Sequence, residues 1–175
     1  ITLGWTFNPF YNLIILQVIW AIGASMILLG LLVLLPYKAI FAIGVIIVFG
    51  HNLLDYPAIS SGLNGTVLAD FLYFSNFSVY SPFKDHYILI VYSFLPWTGV
   101  MLLGYSFGKL YAPSVDAAWR RKKLIQLGAG LLLLFVLLRF SNLYGDPVAW
   151  TTQSRGPVYT FLSFLNVNKY PPSLL

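Results

Sequence analysis

The sequence predicts an all-α, polytopic transmembrane helix bundle with about four spans, the start of a fifth and short interfacial segments. Three observations carry that prediction. Of 175 residues, 59% are hydrophobic and only 9% are charged, whereas a soluble domain carries roughly 25% charged residues. Mean hydropathy is +0.81, and apolar runs of bilayer-crossing length recur along the chain. Aromatic residues make up 18%, as expected where Trp and Tyr anchor helix ends at the lipid interface.

The chain reads as one membrane-embedded domain over 1–175. It opens on "ITLGWTFNPF" and closes on "KYPPSLL" as a new apolar segment begins. We read it as an internal piece of a longer protein, cut at both ends. The first span is expected near 13–35, ending at Pro36. Gln17 is its one polar interruption, and Ala21, Ala24 and Ser25 follow on the same helical face. Such a small, weakly polar stripe suits a neighbouring helix in lipid. The second span is expected near 39–54 after the turn "PYK", with His51 and Asn52 at the interface or facing protein or water. Gly44 and His51 share its face.

A long outer loop, 56–86, follows. Its "FLYFSNFSVY" stretch reads as an interfacial helix or strand, and a loop of this length is often functional. The third span is expected near 87–110. Pro96 should kink it, because proline donates no backbone hydrogen bond. Gly104 and Gly108 are spaced for close approach of another helix. The fourth span is expected near 124–140, with Arg139 at its end. "VYTFLSFLNV" is too short to span, and a fifth span starts after "KYPP".

Charge placement orients the spans. One set of loops holds Lys38, Lys109 and the cluster Arg120, Arg121, Lys122 and Lys123, against Asp116 alone, for a net +5. The other set holds Lys84, Arg139, Arg155 and Lys169 against Asp55, Asp70, Asp85 and Asp146, for a net 0. The basic cluster places its side in the cytoplasm. A cluster between two apolar segments sets topology, so no nucleic-acid partner is expected.

The polar residues of interest then fall on the outer side. His51 and Asp55 are four apart, one helical turn, and are the candidate catalytic pair. A carboxylate beside a histidine fixes its tautomer and raises its basicity. The plainer alternative is a helix end whose polar groups meet water. Arg139, Asn142 and Asp146 cluster after the fourth run as candidate substrate-binding residues, with a structural ion pair as the alternative. Lys169 beside Tyr170 is either a further substrate contact or an interfacial anchor. Gln17 completes the candidates. The chain has no cysteine and two well-separated histidines, so no metal site is expected, and no HExxH, GxSxG or phosphate-loop motif occurs.

The segments "GWTFNPFYNLIILQVIWAIGASMILLGLLVLLP", "GHNLLD", "LPWTGVMLLGYSFGKLY", "LLRFSNLYGDP" and "TFLSFLNVNKYPPSLL" resemble, in this order, bacterial membrane proteins related to heparan-alpha-glucosaminide N-acetyltransferase. The resemblance covers nearly the whole chain outside the loop at 56–84. It implies a multi-helix protein of the bacterial inner membrane. It also implies acetyl-CoA as acyl donor from the cytoplasmic side, and an amino-sugar or other glycan acceptor on the far side. The family's active-site histidine lies before the part matched here, so that role is not carried onto His51. Lipid bilayer and glycan are the expected partners, and homo-oligomerisation is left open. A different class, a non-catalytic transporter or scaffold, would make Gln17, His51 and Arg139 packing or substrate-path residues.

Overall fold

The computed structural model describes residues 2–175. In chain order it contains α1 (Thr2–Thr6), β1 (Leu13–Leu16), α2 (Val18–Leu32), α3 (Tyr37–Gly50), α4 (Pro57–Leu63), α5 (Val67–Ala69), β2 (Ser78–Phe83), β3 (His86–Ile90), α6 (Leu95–Phe107), α7 (Ala117–Ser141) and α8 (Pro157–Leu165). The molecule is mainly helical but not all-α. A three-stranded sheet runs in the order β1-β3-β2. Leu13 pairs in parallel with Tyr87 and Leu16 with Ile90, while β2 returns antiparallel along β3.

The sheet corrects two of the expected spans. "LIIL" and "HYILI" are short aliphatic runs, and periodicity cannot separate such runs from helix starts. Each falls where the sequence predicts the first turn of a span. Instead α2 begins after β1 and keeps 15 residues, about 23 Å of helix, which is short of a bilayer core of roughly 30 Å. Likewise α6 begins at Leu95, with Pro96 in its first turn. Proline is tolerated there, because the N–H it lacks would be unpaired anyway. Pro96 therefore starts a helix where a kink was expected. The outer loop is also structured, carrying α4, α5 and the β2–β3 hairpin.

Among the described residues, two helices are long and apolar enough to cross a membrane: Tyr37–Asp55, 19 residues including a terminal 3-10 turn, and Ala117–Ser141, 25 residues. Of the four expected spans, those near 13–35 and 87–110 are not single continuous helices among the described residues. After α8 the chain is extended, with a bridge between Lys169 and Pro172.

α6 packs between α2 and α3. The small stripe of α2 faces it as expected: Ala21 and Ser25 are buried, and Thr98 Oγ1 donates to Ser25 Oγ at 3.0 Å. The α3–α6 contact is close because Gly44 sits on Leu102 and Leu103, and Gly99 sits on Ile47 and Val48. Gly104 and Gly108, expected to serve this purpose, have no atom in reach of a Cβ among the described residues. α7 exposes Leu132, Leu133, Leu137 and Phe140, and its one buried residue is Arg139.

Candidate functional site

At the end of α3 the helix tightens into a 3-10 turn, His51–Asp55. This turn, the "YGDP" turn after α7 and the extended segment 168–175 meet in one polar cluster. Between them lies a cleft of about 180 Å³, walled by Asn52, Asp55, Tyr56, Leu143, Tyr144 and Asp146 among others.

Asn52 is the centre of the cluster and is almost fully buried. Its Nδ2 lies 2.7 Å from Asp55 Oδ2, 3.2 Å from Tyr73 Oη and 3.4 Å from the Pro172 carbonyl. Its Oδ1 accepts from the Leu174 N–H at 2.9 Å. One amide thus joins three segments distant in sequence.

Asp55 accepts from Tyr73 Oη at 2.8 Å on one oxygen and from Asn52 on the other. No basic side chain pairs with it among the described residues, where the one ion pair is Arg139–Asp146. Each carboxylate oxygen retains lone-pair capacity beyond its single bond. Tyr73 is fully buried. Burial first, and then the adjacent Asp55 carboxylate, push its phenol well above the ordinary tyrosine range. Tyr73 reaches this position from a single π-helical turn, Asp70–Phe74, a local irregularity often found at functional sites.

His51 is buried beside this cluster, its ring edge-on to Tyr73 at 5.8 Å. Its Nδ1 lies 3.0 Å from the Ile47 carbonyl and its Nε2 3.2 Å from the Pro172 carbonyl. Both ring nitrogens face backbone carbonyls, and a neutral imidazole donates to one of the two. The expected His51–Asp55 hydrogen bond is replaced by Asn52–Asp55 and Tyr73–Asp55. The tight turn carries the two side chains to different partners, although they are four residues apart.

On the opposite wall, Tyr56 Oη donates to the Leu143 carbonyl at 3.1 Å, and Tyr144 Oη donates to the Phe49 carbonyl. Burial, then Tyr56 and Asp55, raise the Tyr144 phenol above its usual range. Gly145 takes φ +96°, a conformation that disfavours side chains. Its carbonyl accepts from the Leu174 N–H at 2.8 Å and from Ser173 Oγ.

Arg139 closes the floor behind Asp146. Its Nε donates to the Phe164 carbonyl at 2.8 Å, Nη1 to Val148 O at 2.9 Å, and Nη2 to Ser163 O and Asn166 O at 3.1 and 2.6 Å. Nη1 also pairs with Asp146 Oδ2 at 3.3 Å. Four of the five N–H donors of the guanidinium are hydrogen-bonded to backbone carbonyls, and the ion pair with Asp146 engages the group further inside the protein. Asp146 is similarly engaged, accepting from Val148 N at 2.8 Å and Asn168 N at 3.0 Å. Of the two sequence alternatives for Arg139, this geometry is the structural ion pair. Asn142 ends α7 with φ +52° and exchanges two hydrogen bonds with the Trp150 backbone, both 3.1 Å.

Lys169 is exposed and stands over the Tyr92 and Tyr170 rings at 5.3 and 5.5 Å. Gln17 sits at the start of α2, with no side-chain capping bond, and is not among the cleft residues. Sequence reasoning missed Asn52, Tyr56, Tyr73 and Tyr144 as site residues. Asn52 carried a signal, being amid the polar end of an apolar run. The tyrosines looked like other interfacial aromatics. Among the described residues no three His, Asp or Glu side chains gather as a metal would need.

Lys109 and Arg120 lie at the other end. Lys109 Nζ lies 3.2 Å from the centre of the Tyr37 ring, and Arg120 stacks near Tyr111 at 5.2 Å. The cleft and this basic end are thus at opposite ends of the same 19-residue helix, about 28 Å apart along its axis.

No curated protein matches the chain, and no solved structure does. The family described as "Heparan-alpha-glucosaminide N-acetyltransferase, catalytic" matches residues 1–139. That span includes α1 to α7 as far as Arg139, and with them the His51–Asp55 turn and Tyr73. The chain therefore belongs to the heparan-alpha-glucosaminide N-acetyltransferase catalytic-domain family.

Proposed function

We propose that this chain forms the acceptor side of a membrane acyltransferase. It would transfer an acetyl group from acetyl-CoA to the amine of an amino sugar on the outer side of a bacterial inner membrane. The observation that carries the reading is Asp55: a carboxylate in the cleft wall, held by Asn52 and Tyr73, with no cation against it among the described residues. Such a group attracts a protonated amine, orients it and takes one proton, which frees the nitrogen lone pair to attack the thioester carbon. The C–N bond forms, the C–S bond breaks, and the second proton of the attacking nitrogen passes to the departing thiolate, so that CoA leaves as the thiol.

Asn52 and Tyr73 hold the carboxylate, and His51 fixes the Pro172 carbonyl behind them. His51, Asn142 and Arg139 then act as positioning groups, while Asp146 contributes to the cleft wall. The cationic groups suited to CoA phosphates are Lys38, Lys109 and Arg120–Lys123, at the cytoplasmic end.

The test is transfer of labelled acetyl from acetyl-CoA to glucosamine-ended acceptors by the full-length protein in detergent or nanodiscs. Asp55→Asn should lower kcat by about a hundredfold or more while thermal unfolding stays near the parent. Folded parent protein that acetylates no amino sugar would overturn the reading.

A further inference from the structure

α8 follows the outer end of α7, and its two sides differ. One side is fixed to the protein. Arg139 donates to the Ser163, Phe164 and Asn166 carbonyls, and the Phe164 ring packs edge-on against Phe135 and Trp150 at 5.9 and 5.7 Å. Thr160 Oγ1 accepts from the Gln153 N–H. The other side is open among the described residues: Val158 is 68% exposed and Phe161 60%, with Leu162 and Leu165 exposed beside them. Nine residues make about 14 Å of helix, too short for a bilayer core of roughly 30 Å. A short helix with one apolar side, placed where a spanning helix ends, fits the plane of the membrane interface with that side among acyl chains.

The same helix borders a groove of about 560 Å³, lined by Gln153, Tyr159, Leu162, Ser163, Leu165 and Asn166. At its margin the Arg155 guanidinium lies 5.6 Å from the centre of the Tyr159 ring. Arg155 has no carboxylate partner among the described residues, where Asp146 is paired with Arg139. No acidic side chain lines the groove. The groove therefore joins an unneutralised cation, amides and hydroxyls to bare leucine side chains. A soluble anion would use the polar part and leave the leucines in water. A purely apolar molecule would leave the cation unpaired. A phosphate carrying a hydrocarbon chain uses both parts.

We propose that α8 lies in the plane of the outer interface and that its groove binds an anionic phospholipid. The planar Arg155 fork matches the phosphate oxygens, Gln153 and Asn166 supply further polar contacts at the headgroup, and an acyl chain follows Leu162 and Leu165. Arg139 joins α8 to Asp146, so the lipid rests on the element that fixes one wall of the cleft. The inference depends on the membrane orientation and not on the acyl-transfer reading, and either can fail without the other.

The experiment is photo-crosslinking of the full-length protein in nanodiscs of equal parts phosphatidylglycerol and phosphatidylcholine with matched chains. p-Benzoylphenylalanine replaces Leu162, or Leu133 on the exposed face of α7 as a probe of ordinary boundary lipid, and adducts are identified by mass. At Leu162 phosphatidylglycerol adducts should exceed phosphatidylcholine adducts about fivefold, as one added cation near an anionic headgroup implies. At Leu133 the yields should be equal. Arg155→Gln should bring the ratio at Leu162 close to one. Arg155 is exposed, and an unchanged melting curve establishes that its loss leaves the fold intact. The proposal is overturned if the adducts at Leu162 are chiefly to protein, which would make the groove a covered packing surface. It is also overturned if both lipids react equally there, if Leu133 shows the same preference, or if the preference survives Arg155→Gln.

Discussion

Arg139 and Asn52 each join segments that the sequence keeps far apart, and their removal should be felt differently. Arg139 satisfies four backbone carbonyls and Asp146. Arg139→Met leaves those oxygens and a buried carboxylate unpaired, and should cost roughly 3–5 kcal/mol, seen as a lowered melting temperature in detergent. Arg139→Lys should recover little, because an ammonium cannot reproduce the planar fork. Asn52→Ala should reduce acetyl transfer more than stability, because it frees Asp55 within the cleft. Tyr73 gives a pH signature. Its folded pKa is raised above the unfolded value near 10. Its contribution is therefore complete below about pH 10 and is lost as pH rises further, since the unfolded chain ionises first. Thermal unfolding followed from about pH 8 to about 11 should show a falling stability that Tyr73→Phe makes shallower. The sequence displayed His51, Asp55 and Arg139 as suspects by their position at the ends of apolar runs. It did not display their partners, because most of those are backbone carbonyls or a tyrosine on another element.

The bundle interior is decided at the level of helix pairs. A Cβ on Gly99 would lie 2.7 Å from Ile47 Cγ2, so Gly99→Ala must push α3 and α6 apart and should cost roughly 1–3 kcal/mol. Gly104→Ala meets no atom within 4 Å among the described residues. It should be neutral or stabilise α6 by up to about 1 kcal/mol through helix propensity. Comparing the two melting curves tests the α3–α6 contact directly. Both glycines look alike in sequence. The spacing of Gly104 and Gly108 is even the more conventional packing signal, yet α3 approaches on the Gly99 side. Close approach depends on which face the neighbour occupies, and that is set by where the strands and turns deliver it. The strands carry the same lesson, since Leu13–Leu16 becomes β1 because a partner run, Tyr87–Ile90, is brought alongside it.

For the whole molecule, the two ends of the long helices differ in character. The basic end gathers Lys109 with Tyr37 and Arg120 with Tyr111, and the other end holds Asp55, Asp146 and the cleft. The chain has no cysteine, so single introduced cysteines report sidedness cleanly. Lys84→Cys should react with a membrane-impermeant maleimide in right-side-out vesicles, and Lys122→Cys should react only in inverted ones. Labelling of both from one face would overturn the orientation.

Composition and run length by themselves determined the membrane character, the places where apolar segments begin and end, and the polar motifs that close them. These follow from hydropathy, which is a property of each residue in its own short window. Tertiary structure decided that two of the runs open as strands and that Gly99 is the contact glycine. It also decided that Asp55 answers to Asn52 and Tyr73, and that Arg139 is consumed internally. Each of these depends on a group many residues away: Asn52 alone reaches Pro172 and Leu174. Hydrogen bonds and close packing are properties of pairs, and a single sequence names the members of a pair without saying which ones will meet.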